Sequence, residues 1–326
     1  MLNYKIRKMK NAKLITMFCC LFAAGMIALS SCKKNTATTV DKDTSGASDV
    51  SNAENTSNDV VSIGAQASEN ATLTGYRDGS SDYVLSSCAA TIVKDTAAKT
   101  ITVTFNGNAC LDGRTRSGSL TFNYSASTNG ARFYRDPGFS MSVTSNNYVV
   151  DGNQITINHK TVTNITNGGT IVGWNPATTP EKWSISADIS IVKSTGGTVT
   201  WQSTRTKTLV NTTTVYTMSD TVNYPANNTV AIDWPHAIIQ IDGNATGTRP
   251  NGETFTAVAT AIVRDFNCSP IGNKHPWISG TLVYSPSGKA VRNINFGSDQ
   301  NGNINNACDI YAQVTINNVN YIITLP

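Results

Sequence analysis

From about residue 73 to the end, apolar and polar positions alternate with a period of two in one short run after another. Residues 100–105 (TITVTF) and 119–124 (SLTFNY) alternate strictly, and runs near 139–143, 154–157, 185–192, 198–209, 237–241, 254–263, 277–284, 309–316 and 319–325 behave alike. One side of each run is apolar and the other rich in Ser and Thr, as in half-buried antiparallel strands. Turn signals separate them: Asn129-Gly130, Asp151-Gly152, Gly196-Gly197, Asn251-Gly252 and Asn317-Asn318. The pattern predicts an all-β body, 71–326, of antiparallel meanders forming a sandwich or a long curved sheet. Ahead of it, Val50, Ala53, Val60 and Ala67 follow a 3.6-residue period, and Ser51 with Glu54 has capping-box spacing. That predicts one amphipathic helix over residues 49–70.

The first 31 residues carry a different pattern. Lys5, Arg7, Lys8, Lys10 and Lys13 precede an apolar run over residues 14–29, which is shorter than the ~20 residues of a spanning helix. The run ends in Leu29-Ser30-Ser31-Cys32, which reads as a lipobox: small residues before the scissile bond and a thiol after it to take lipid. Residues 1–31 are therefore expected to be a lipoprotein signal peptide, Cys32 the acylated residue, and the polar stretch 32–48 a tether to the bilayer.

The formal net charge of +4 changes meaning once that segment is set aside. Its five basic side chains have no acidic counterpart, so the remaining chain stands at −1. Such a body has no electrostatic footprint for nucleic acid. Beyond Cys32 four cysteines remain, Cys88, Cys110, Cys268 and Cys308, an even number suited to an oxidising compartment. Three pairings are open; the local one, Cys88–Cys110 with Cys268–Cys308, is favoured. No Cys-x-x-Cys or His-x-x-x-His spacing points to a metal.

A weak internal echo runs through the body. Ser117-Gly-Ser-Leu-Thr-Phe122 resembles Ser279-Gly-Thr-Leu-Val-Tyr284, and Val103-Thr-Phe-Asn-Gly107 resembles Ile294-Asn-Phe-Gly297. It predicts two similar β units, about 71–210 and 211–326. Cys110-Leu-Asp-Gly-Arg-Thr-Arg-Ser-Gly118, Phe133-Tyr-Arg-Asp136, Thr200-Trp-Gln-Ser-Thr-Arg205 and the Cys268…Cys308 ending resemble a family of uncharacterised Bacteroidetes-type all-β lipoproteins. The resemblance covers most of the chain from about residue 70. It implies an all-β exported lipoprotein of unassigned activity, with no catalytic residues to carry over. In that group acidic residues often follow the lipidated Cys on surface-displayed members. Lys33-Lys34 departs from this, so the expected envelope location, at the outer membrane, has no assigned side.

The inventory for chemistry is thin. His159, His236 and His275 are scattered, no Gly-x-Ser-x-Gly elbow or phosphate loop occurs, and the body holds two Glu, Glu181 and Glu253. Asp299-Gln-Asn-Gly-Asn303-Ile-Asn305 has oxygen side chains at alternate positions but one carboxylate, too little charge for calcium. No cofactor or metal is expected. Trp174, Trp234 and Trp277 adjoin Pro-containing loops and are candidate stacking platforms for sugar rings. Arg114 and Arg116 are candidates for an anionic ligand. The expectation is a lipid-anchored, non-enzymatic envelope protein, structural or ligand-binding, with the bilayer and a glycan or another envelope protein as partners. The alternative is a glycan-active hydrolase whose Asp/Glu pair the linear sequence does not reveal.

Overall fold

A computed structural model describes residues 41–69, 88–110, 113–131, 134–170, 172–175, 177–211, 215–218, 229–232, 236–268 and 276–325. The signal peptide, Cys32, Trp234, His275, Asp112, Arg132 and Phe133 lie outside the described residues. From Asp41 the chain forms one unit built on helix α1 (Ser45–Glu69) and a long antiparallel sheet.

The alternating runs become β1 (Ala89–Asp95), β2 (Thr100–Ala109), β3 (Thr115–Asn123), β4 (Ser140–Val150), β5 (Asn153–Asn164), β6 (Lys182–Val192) and β7 (Thr198–Leu209). A small hairpin follows, β8 (Val215–Met218) with β9 (Thr229–Ile232), forming its own two-stranded sheet. The main sheet resumes with β10 (Ile238–Thr248), β11 (Thr254–Asp265), β12 (Trp277–Pro286), β13 (Arg292–Asn295), β14 (Tyr311–Ile316) and β15 (Val319–Thr324). Thirteen strands pair in chain order, with β7 joined to β10 through ten residue pairs. The sheet is therefore continuous across residue 210, and of the two architectures the sequence left open, the single long sheet is the one observed. Its outer face is laddered with hydroxyls, as in the Thr102–Thr121 contact at 3.1 Å and Ser140–Thr163 at 3.0 Å.

The sheet curls around α1. Glu54, Asn55, Ser57 and Asp59 contact β7, β11, β5 and β3 respectively. These four residues cover about 8 Å of helix axis. From β3 to β11 are six strand spacings, ~29 Å if the sheet were flat. Only a wall bent around the helix meets both conditions. Between residues 49 and 65 the half-buried positions, Asn52, Asn55, Asn58, Asp59 and Ser62, fall within about a third of the circumference. Every other direction is closed by buried side chains, so the helix lies in a trough that is open along one seam.

Strand parity explains the seam. Each of the thirteen strands is antiparallel to its neighbour, so β1 and β15 run in the same direction. Closing the barrel would need a parallel pair, which is the less stable ladder and does not follow from hairpin connections.

The helix is set differently from its sequence pattern. Its Ser- and Asn-rich composition has low intrinsic propensity, so its order comes from burial. It starts at Ser45, where Asp43 Oδ1 accepts the Ser45 N–H at 2.9 Å. The expected capping box is not used: Glu54 pairs with Arg205. Residues 41–44, assigned by sequence to the tether, are already held by the body, beginning with Asp41 on Arg292.

The internal echo has a local physical cause. Gly118 (φ +81°) sits between Phe105 on β2 and a bulge on β4 at Asn147 (φ 47°). Gly280 (φ +94°) sits between Phe296, just after β13, and a bulge on β11 at Ala261 (φ 48°). A Cβ on either glycine would lie 2.1 Å from the carbonyl oxygen of the bulged residue. The repeated unit is thus a glycine-and-bulge corner with a neighbouring Phe, in the spatial orders β2–β3–β4 and β13–β12–β11.

Candidate functional site

The chemistry-bearing side chains converge on the axis of the trough. In β7 the inward parity runs Trp201, Ser203, Arg205, Lys207, Leu209, placing two cations on the buried face. Arg116 on β3, Lys160 on β5, Arg249 after β10 and Arg292 on β13 are buried as well. A buried cation without a partner costs several kcal/mol, and α1 supplies carboxylates to three of these, Arg116, Arg205 and Arg249.

Glu54 and Arg205, both 2% exposed, form a two-pronged pair: Nη2 to Oε2 at 2.6 Å, and Nε to Oε1 at 3.2 Å. Asp59 accepts from Arg116 at 2.7 Å and lies 3.8 Å from Arg114. Asp49 takes Arg249 Nε at 3.1 Å and Lys193 Nζ at 2.7 Å. Asp49, Glu54 and Asp59 are five residues apart, so each step turns about 140° around the helix. Acids wound that way suit a helix with cations on several sides.

At the helix N-terminus a second group forms. Asp41 meets Arg292 at 2.7 Å, Asp43 lies 3.3 Å from Lys289, and Glu253 takes Lys289 at 2.6 Å and Arg249 at 3.1 Å. Hydrogen bonds from Ser45, with Lys289 and Arg249 nearby, hold Asp43 down at about 2. Burial pushes the Glu253 carboxyl up, but bonds from Lys289, Tyr284 and Arg249 outweigh it and leave it below the usual range.

Two lysines inside are pushed toward neutrality. Lys160 donates to Ser57 Oγ at 2.8 Å, and burial, partly opposed by Glu54, lowers it to about 7. Lys207 lies 5.1 Å from the Trp183 ring centroid and 5.2 Å from that of Tyr134, with Nζ 3.3 Å from the Tyr134 hydroxyl. Burial and Arg264 bring it to about 7 against the pull of Glu181. Glu181, 0% exposed, accepts from Asn164 Nδ2 at 2.9 Å, while its Oε2 has no hydrogen-bond partner among the described residues. Burial raises its carboxyl well above the ordinary value, against the opposing bond from Asn164 and the charge of Arg135.

The residues singled out from sequence fall in several places. Cys88 bonds Cys110 and Cys268 bonds Cys308, the local pairing, with Cα separations of 4.5 and 5.4 Å. Trp277 is only 5% exposed, packed on Phe296 at 5.1 Å with Arg264 5.5 Å from its ring. Its indole belongs to the core and presents no face to a sugar. Trp174 is half-buried, its Nε1 donating to the Thr179 carbonyl at 2.9 Å within its own loop. Arg114 and Arg116 form ion pairs with Asp151 and Asp59, at 2.9 and 2.7 Å. In the Asn-rich loop the Asp299 carboxylate is occupied by the N–H groups of Asn301 and Asn303, at 2.8 and 2.9 Å. Among the described residues no group of three His, Cys, Asp or Glu could hold a metal ion.

Sequence reasoning missed the axis itself. Its signal was present in the inward parity of Arg205 and Lys207 among Trp201 and Leu209, together with acids five residues apart in the preceding helix. No protein-family model, no curated protein and no solved structure matches the chain.

Proposed function

We propose that this chain is an exported protein anchored to the envelope through lipid on Cys32, with a non-enzymatic structural or ligand-binding body. The observation that carries the second half is the neutralised axis. The trough, where a curled sheet would hold a substrate, is occupied by α1, and three of its buried arginines, Arg116, Arg205 and Arg249, face carboxylates of that helix. Two of the body's acids are enclosed, Glu181 at 0% and Asp136 at 3% exposure, and offer no face for a glycosidic bond. Anchoring is supported by the order of basic, apolar and lipobox residues, and two disulfides suit an oxidising compartment.

Trp174 is the one described tryptophan left as a sugar platform. Metabolic labelling with a fatty-acid analogue tests the anchor: the wild type takes up label and Cys32→Ser takes up none. Equal labelling of the two would end this reading.

A further inference from the structure

The two edges of the sheet are built differently. At β1 the register is irregular between Ala89 and Thr91, and the strand ends in Lys94-Asp95; a bulge and charges are devices that discourage further pairing. β15 has none of them. Its six residues, VNYIIT, carry no charge, Pro or Gly, and pair in unbroken register with β14. Among the described residues it is the terminal strand, and no described strand pairs with its outward row of N–H and C=O groups. On its core side Val319 is 44% exposed, and Tyr321, Ile323 and Leu325 are only partly covered. Both the backbone row and the apolar row are finished as though another strand followed.

We propose that β15 is a self-docking edge, and that two copies of the chain pair β15 to β15 antiparallel about a two-fold axis normal to the sheet. Strand direction selects this occupant. β1 and β15 run the same way, so β15 of one copy placed beside β1 of the next in the same sheet sense would make a parallel pair at a protected edge. Two copies of β15 related by the axis are antiparallel, and an uncharged strand meets its copy without like-charge repulsion. Because one face is buried, only registers that keep core sides together are allowed. Centred on Tyr321, the pair sets Val319 against Ile323 of the second copy and continues the apolar row.

The mass of the full-length protein in mild detergent, by light scattering with the detergent contribution removed, reads the outcome. The wild type is expected as a dimer. Ile322→Lys, at an exposed outward position, is expected as a monomer with an unchanged melting temperature. Tyr321→Cys places a thiol beside the axis and should give a disulfide-linked dimer under mild oxidation, while Val93→Cys on β1 should not. The Tyr321→Cys trap decides alone if Ile322→Lys does not fold. A monomeric wild type, a dimer surviving Ile322→Lys with no Tyr321→Cys link, or a link between Val93→Cys and Ile322→Cys chains would overturn the proposal. So would a stoichiometric foreign protein on β15.

Discussion

Glu54 and Arg205 carry the argument at the scale of single residues. Removing one member of a buried pair strands the other, at a cost of roughly 3–5 kcal/mol, whereas replacing both with apolar groups of similar volume can be nearly neutral. Glu54→Leu and Arg205→Met should each lower stability by about that amount. The double variant should lose less than either, a non-additivity that denaturant melts measure directly. The tryptophans separate in the same way. Trp277→Ala should cost about 3–5 kcal/mol, as for a core aromatic. Trp174→Ala, at a half-buried loop position, should cost distinctly less, so a loss of glycan retention in that variant would report contact with ligand. Comparable melting losses for both would return Trp174 to the core.

Among the elements, the strands were legible because a sheet with one wet face imposes a period of two, and Thr, Val and Ile supply it. The corners were legible only as an echo of residues. Gly118 and Gly280 repeat because a bulged neighbour brings a carbonyl oxygen to 2.1 Å from any Cβ there. Gly280→Ala should therefore destabilise by about 1–3 kcal/mol, through positive φ and the close backbone. A thermal melt equal to wild type would show that the corner is not built this way. The helix was placed nearly correctly, yet its setting was not legible. An amphipathic pattern predicts one buried face, while Ser, Asn and Ala are small enough for walls to close around most of the circumference. The chain order of the strands could not reveal curl either, since a flat and a curled meander share one alternation.

For the molecule as a whole, the buried charges set the pH response. Lys160 and Lys207 sit at about 7 in the fold against an ordinary 10.5. Between those values the unfolded chain binds protons that the native one does not, so stability should rise with pH across that window and fall on the way back to 7. The gain is opposed toward and above pH 10, where the unfolded tyrosines ionise while buried Tyr134, Tyr148 and Tyr284, all held high by desolvation, do not. On the acid side Asp43 and Glu253 are depressed. Their contribution is present above the ordinary carboxylate range and is lost as pH falls through the lowered values, about 2 for Asp43. Melting temperature against pH, with Lys160→Met and Lys207→Met beside the wild type, checks the sign: the two variants should flatten the rise above 7.

The curl of the sheet and the buried ion pairs depend on α1 lying inside it, and native-state amide hydrogen exchange of the full chain tests that most directly. A 25-residue helix this rich in Ser and Asn would fray in water. Threaded along the trough, its amides from about Val50 to Ile63 should be protected to the level of the central strands β5, β6 and β7 and should open only with them. Exchange of those amides orders of magnitude faster than the central strands, with the sheet still protected, would mean that α1 is not the core of this molecule.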